Sequence, residues 1–249
     1  MATIHLSLQG KGGVGKSFLA LMIAMYYQDK KIALDIYDTD PINATVFGFK
    51  SLNAEKFEIM KKNEIDKRSF DNLFARVINA KNDVLIDIGS NGFISICSYI
   101  LSNQLIQMLH KNGHKIIIHT SIVGGQNLLH TINGFDSLVK QFPSETNFVI
   151  WLNPFWGEVI HNNNSFEKLK VYNSHKARIT AIINIPEFDR SLHGQDLSAM
   201  LEAKMTFTDV KESANTETEQ VHTFDIFSRN RLNIVSTQIF NLIENSHII

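Results

Sequence analysis

The sequence predicts an α/β fold, a doubly wound and mostly parallel sheet with helices on both faces. Three observations predict it. Short β-branched apolar runs alternate with longer helical patterns, as parallel strands joined by crossover helices require. A glycine-rich loop, Gly10 to Ser17 (GKGGVGKS), follows the first run directly and opens the first helix. The length of 249 residues suits one large domain of this class, spanning 1–249.

The predicted strands are Thr3–Gln9, Ile32–Tyr37, Val84–Ile88, Lys115–Ser121, Asn147–Leu152 and Ile179–Ile185. Between them, Ser17–Asp29 is apolar nearly all round, as a helix buried against a sheet should be. Ser69–Ala80 begins with a capping Ser and carries Phe70, Leu73, Phe74, Val77 and Ile78 at helical spacing. Ile94–Lys111 reads as one helix closed by Asn112-Gly113, and Gln126–Gln141 as another ahead of Pro143. Thr206–Thr223 is polar and threonine-rich, a surface loop or mobile segment by composition, with a lid or partner loop as the sharper reading. A C-terminal helix over Arg231–Ile249 places Leu232, Val235, Ile239, Leu242 and Ile243 on one face, for packing on the domain. Right-handed crossovers complete the doubly wound order, and ligands in such sheets bind beyond the carboxyl ends of the strands.

The motifs fall at those ends. A triphosphate needs many donors at close range. Gly12, Gly13 and Gly15 let the backbone of the loop turn its N–H groups inward, and the following helix adds its positive N-terminus. Gly10, Lys11, Gly12, Gly13, Val14, Gly15, Lys16, Ser17 and Phe18 are therefore the candidate nucleotide contacts. Lys16 can reach the β- and γ-phosphates, and Ser17 can ligate Mg²⁺. Asp38 and Asp40 in Asp38-Thr39-Asp40-Pro41 stand two apart on an extended segment and share a side. Asp87 ends the run Asp83-Val84-Leu85-Ile86-Asp87 and completes the expected metal set of Ser17, Asp38, Asp40 and Asp87. Lys11, Lys16 and Asp40 are the candidate catalytic residues, since phosphoryl transfer asks chiefly for positioning and charge stabilisation.

Composition narrows the classes. A formal net charge of -1 gives no global field for nucleic acid, so nucleic-acid binding is possible but unsupported by charge. Lys56, Lys61, Lys62, Lys67 and Arg68 cluster locally, but Glu55, Glu58, Glu64 and Asp66 interleave with them, which reads as a solvated helix face. A single cysteine, Cys97, excludes an internal disulfide and a cluster held by two cysteines per subunit. The ten histidines show no metal-ligand spacing and read as surface or core residues. No signal peptide pattern and no apolar run near the ~20 residues of a membrane span are visible, so a cytoplasmic protein without an integral membrane segment is expected.

GKGGVGKS at Gly10–Ser17, DTDP at Asp38–Pro41 and VLID at Val84–Asp87 resemble the ParA/MinD family of deviant Walker A P-loop ATPases. The opening IHLSLQGKGGVGKS more closely resembles TraL-type conjugal-transfer ATPases. The resemblance implies ATP and Mg²⁺ as ligands, a homodimer formed on ATP binding, and Lys11 acting across the interface on the partner's nucleotide. It implies that Asp40 positions the attacking water and that Asp38 supports the Mg²⁺ or loop environment. Asn153, with Pro154, and Pro186-Glu187 match the places where the family contacts adenine. A slow ATPase stimulated by a conjugation or partition protein follows from the same resemblance.

Two departures bear on turnover. Ile42 follows the DTDP motif where the ParA subgroup usually has Gln, and Ile88-Gly89-Ser90-Asn91-Gly92 lacks the proline of many relatives. An ATP-gated scaffold, or a DNA-binding partition-type factor with little hydrolysis, is the alternative reading. A guanine-specific protein is disfavoured because no [NT]-K-x-D motif occurs.

Overall fold

The computed structural model describes residues 1–61, 64–213 and 224–249. Elements run in the order β1 Thr3–Ser7, α1 Lys16–Lys30, β2 Leu34–Asp38, β3 Glu55–Lys56, β4 Met60–Lys61, β5 Glu64–Ile65, α2 Lys67–Ile78 and β6 Asp83–Asp87. They continue with α3 Phe93–Ser102, α4 Leu105–Lys111, β7 Lys115–Val123, α5 Leu128–Gln141, β8 Asn147–Asn153, β9 Ile160–His161 and β10 Asn164–Ser165. Then come α6 Lys170–His175, β11 Ile179–Asn184, α7 Gln195–Glu202, α8 Phe207–Glu212 and α9 Ile226–Asn245.

Seven strands form one sheet in the order β11-β8-β7-β1-β6-β2-β3, and every pairing within it is parallel. This is the α/β doubly wound fold that the alternating pattern predicts. All six predicted strands are present. The seventh, β3, is a two-residue edge strand, too short to leave a period in the sequence. Alternation decides which residues serve which layer. Leu85, Ile117, Val149, Trp151 and Ile183 pack toward α1, α7, α8 and α9. Val84, Ile86, Ile116, Ile118, Phe148 and Ile150 pack toward α2, α3, α4 and α5.

Several expectations are corrected. The helix expected from Ser69 starts two residues earlier, because the Asp66 side chain accepts from Arg68 N at 3.0 Å and caps it. The single helix expected over Ile94–Lys111 is two, α3 and α4, broken where Gln104 takes φ +50°. The basic cluster does not form a helix face before α2. Lys56 lies in β3 beside Glu58 at 3.0 Å, Lys61 lies in the short β4–β5 hairpin, and only Lys67 and Arg68 are helical. Lys62 lies outside the described residues. The C-terminal helix begins at Ile226 and ends at Asn245, capped by Asp225 through Ser228 N. Of the polar segment 206–223, the first residues are ordered structure: Thr206 and Asp209 form a capping box at the start of α8. Residues 214–223 lie outside the described residues.

A polar ladder crosses the middle of the apolar sheet. Trp151 Nε1 donates to His119 Nδ1 at 3.1 Å, and His119 Nε2 lies 2.9 Å from His5 Nδ1. His5 Nε2 lies 3.0 Å from the Tyr27 hydroxyl, which donates to Asp83 Oδ2 at 2.7 Å. Both histidines are fully buried. Burial pushes His5 down to about 4 and His119 well below its ordinary value. Among the described residues, no helix is long and apolar enough to cross a membrane.

Candidate nucleotide site

β1 ends at Ser7, and the chain then turns through Gly10–Gly15 into α1. The turn is possible because Gly13 and Gly15 adopt φ +71° and +91°, conformations that side-chain-bearing residues rarely take. The α1 amides then open toward the loop. The Ser7 hydroxyl donates to the Lys16 carbonyl at 3.2 Å and pins the helix start to the strand. Lys16 is buried, and its Nζ donates to the Lys11 carbonyl at 3.0 Å. The cation is thus folded back over the loop it would serve. Burial lowers its pKa, while Asp87 and Asp40 act in the other direction. The Lys11 side chain is exposed, and no ion pair involves it among the described residues.

The carboxylates sit at matched depth, because Ser7 pairs with Asp87 and Asp87 with Asp38 across neighbouring strands. Their environments differ. Asp38 is fully buried and accepts from Asp40 N and Phe47 N, both at 3.1 Å. It therefore shapes the β2 loop, although burial still raises its pKa. Asp40 Oδ1 accepts from Ile42 N and Asn43 N, both at 3.0 Å, as in an Asx turn. A Cβ on Gly89 would lie 2.5 Å from the Asp40 carboxyl, so glycine there admits Asp40 against the β6 loop. Asp87 is buried, and neither of its oxygens has a hydrogen-bond partner among the described residues. Burial pushes it up to about 7, Asp38 and Asp40 add to the rise, and Lys16 opposes it. The nearby Ser17 hydroxyl also opposes the rise, though no hydrogen bond of normal geometry joins the two. Thr39 closes the β2–β6 gap through N and Oγ1, each 3.0 Å from the Asp87 carbonyl.

On the opposite side of the loop lies a cavity of about 310 Å³. Gly13, Val14, Gly15 and Phe18 form one wall, and Asn153, Pro186 and Glu187 stand in the others. The structure therefore brings the sequence-predicted base contacts to the phosphate loop. Asn153 ends β8. Its Oδ1 accepts from Phe155 N at 3.0 Å, and its Nδ2 would lie 2.9 Å from a Cβ on Gly15. Further lining residues escape the sequence reading: Phe155, Phe188, Arg190, Leu197 and Leu201. Arg190 donates to the Phe155 carbonyl at 2.6 Å and its guanidinium stands 5.6 Å from the Phe155 ring. The aromatic residues after Pro154 and Pro186 were the available signal, since both follow strands at their carboxyl ends. Gln9, one residue before the loop, was also missed and is buried against it.

The arrangement can cradle a polyphosphate on amides and a lysine, hold a divalent cation beside Ser17 and Asp87, and seat a planar apolar group. The orphaned, buried Asp87 carboxylate fits such a cation, because a charged partner would compensate its desolvation.

No protein-family model matches the chain. It is 42% identical over 250 residues to Protein TraL of Escherichia coli, covering 100% of both chains. A second Escherichia coli Protein TraL is 43% identical over 244 residues, with 98% of each covered. Among solved structures it is similar to the MinC:MinD cell division protein complex of Aquifex aeolicus. That match has TM-score 0.52 and 16% identity, over 98% of this chain and 95% of the other. The MinD cell division protein of Aquifex aeolicus gives TM-score 0.50 at 14% identity, with 97% of each chain covered. Full-length identity of this size shows kinship and the MinD matches show the fold: the chain belongs to the TraL protein family, on a MinD-type P-loop NTPase fold.

Proposed function

We propose that the protein is an ATP-binding, slowly hydrolysing dimerisation switch that acts in plasmid conjugative transfer or plasmid maintenance. The observation that carries the reading is the juxtaposition of Lys16, held at the Lys11 carbonyl, with the unpartnered carboxylate of Asp87 across the loop. Both buried charges lack a full complement in the protein alone, and Mg²⁺-ATP supplies both. Lys16 would leave the Lys11 carbonyl for the β- and γ-phosphates. Ser17 and Asp87 would hold Mg²⁺, with Asp38 and Asp40 supporting the loop beside it. When bound, the ion neutralises charge on the phosphate oxygens. The adenine would enter the cavity beside Asn153, Pro186 and Glu187.

Slow turnover is supported by Asp40, whose Oδ1 is committed to the Ile42 and Asn43 amides, leaving only Oδ2 to meet an incoming water. Dimerisation is supported by exposed Lys11 and by Ile42 and Ile94, exposed at 71% and 78% in the loop after β2 and the first turn of α3. A second copy there would cover both and let Lys11 reach its nucleotide. The conjugation setting rests on the TraL kinship. A partner from the conjugation or partition machinery would then set the hydrolysis rate, and an ATP-gated scaffold differs only in that rate.

The test is solution mass by light scattering with Mg²⁺-ADP and with Mg²⁺-ATP, alongside phosphate release. A monomer with ADP and a dimer with ATP are expected. Unchanged mass would refute the switch, and a dimer with no phosphate release would favour the scaffold.

A further inference from the structure

Gln9 precedes the phosphate loop and belongs to none of the recognised motifs, yet it is 1% exposed and every polar atom of its side chain is engaged. Its Nε2 stands 3.3 Å from each of Thr120 Oγ1, the Ser121 carbonyl and the Thr131 carbonyl. Its Oε1 accepts from Gly10 N at 3.0 Å. One amide therefore ties the first N–H of the loop to the end of β7 and to the first turns of α5. Thr131 is itself fixed there, because its hydroxyl donates to the Leu128 carbonyl at 2.9 Å and accepts from Val123 N at 3.2 Å.

α5 carries a second mark of this contact. Gly134 sits in the middle of the helix, where glycine weakens helical structure. A Cβ at Gly134 would collide with Gln9 Oε1 and lie 3.2 Å from Gln9 Cδ. The missing methyl is the slot through which Gln9 reaches its partners.

We propose that Gln9 is the positioning residue for the Gly10–Lys11 limb of the loop, and that Gly134 is the slot that admits it. The limb matters because it carries both the Lys11 side chain and the carbonyl that receives Lys16. Gln9 holds the limb that carries Lys11 against β7 and α5, whereas Lys16 belongs to α1. The catalytic part of this inference rests on the ATPase reading above. The positioning part does not.

The experiment uses the nucleotide-free protein first. Amide hydrogen exchange of Gly10, read by NMR, is compared in wild type, Gln9→Ala, Gly134→Ala and the double variant, with thermal unfolding as a check on folding. Gly134→Ala favours the helix and meets the loop only through Gln9. Exchange at Gly10 should rise about tenfold or more in both single variants, as for a locally opened bond, with no further rise in the double variant. Gly10 exchange unchanged in folded Gly134→Ala would overturn the proposal. With Mg²⁺-ATP, kcat should fall about tenfold in both variants while the Kd stays within about threefold, because the Gly12–Ser17 cradle is intact. An equal loss in Kd and kcat would overturn the assignment to the Lys11 limb. Faster Gly10 exchange in both variants, with no ATP binding by the wild-type protein, would leave Gln9 positioned as described and defeat the ATPase reading instead.

Discussion

The two flanks of the phosphate loop are built on opposed physical terms. Beyond β2 and β6 stand three carboxylates: Asp38 and Asp40 accept from loop amides, and Asp87 is buried without a hydrogen-bond partner among the described residues. Beyond β8 and β11 stands a mostly apolar cavity of about 310 Å³, with Asn153, Glu187 and Arg190 among its lining residues. The first flank is poised around charge and the second around shape. A ligand charged at one end and planar and apolar at the other would satisfy both. The contrast also separates affinity from orientation: charge is strong and long-ranged in a dry site, whereas the cavity selects by fit.

The largest effect expected is on the loop itself. Lys16→Ala should weaken Mg²⁺-ATP binding by about a hundredfold or more in calorimetry, the scale of a lost charge-assisted contact in a water-poor site. Retained affinity would break the claim that charge dominates the first flank. Next comes the polar ladder that crosses the sheet. His5 is neutral in the fold, with its pKa lowered to about 4, whereas in the unfolded chain it titrates near the ordinary 6.5. The unfolded chain therefore binds more protons between those values. Stability should be full above pH 6.5 and fall toward pH 4, by about 3 kcal/mol from His5 alone, in urea unfolding across that range.

Two carboxylate substitutions sharpen the contrast within the first flank. Asp38→Ala should lose about 2 kcal/mol of stability, because two loop amides lose their acceptor. Asp87→Asn should leave thermal stability equal or higher, and should lower nucleotide affinity only when Mg²⁺ is present. The smallest effect belongs to the second flank. Asn153→Ala removes a cap at Phe155 N and should reduce stability by about 1 kcal/mol. ATP affinity should fall severalfold while pyrophosphate binds as in wild type; equal losses for both ligands would place Asn153 on the phosphate side.

The first flank was legible in the sequence and the second only in part. Gly10–Ser17, Asp38, Asp40 and Asp87 lie in contiguous motifs whose spacing fixes their geometry, and strand pairing then sets them level. Asn153, Pro186 and Glu187 were placed by resemblance, and the structure seats them on one cavity. Phe188, Arg190, Leu197 and Leu201 come from the stretch after β11, where no local period distinguishes a cavity wall from a loop. The break between α3 and α4 at Gln104 was hidden because Gln carries no turn preference. β3 was hidden because two residues make no alternation. Gln9 was invisible for another reason: its partners are more than a hundred positions away, at Thr120, Ser121 and Thr131.

The ladder from Trp151 to Asp83 has one more consequence. An indole nitrogen can only donate, so His119 must accept at Nδ1 and carry its hydrogen on Nε2. His5 must then accept at Nδ1 and donate from Nε2 to Tyr27, whose hydrogen goes to the Asp83 carboxylate. Every hydrogen points the same way across β8, β7, β1 and α1. The row behaves as a one-way latch, in which turning either imidazole over breaks two links at once. A strand slipped by one residue would face its ring into the opposite layer and leave a bare indole or phenol in hydrocarbon. The sheet thus carries, beneath its ligand site, a built-in check that its central strands have been laid down in register.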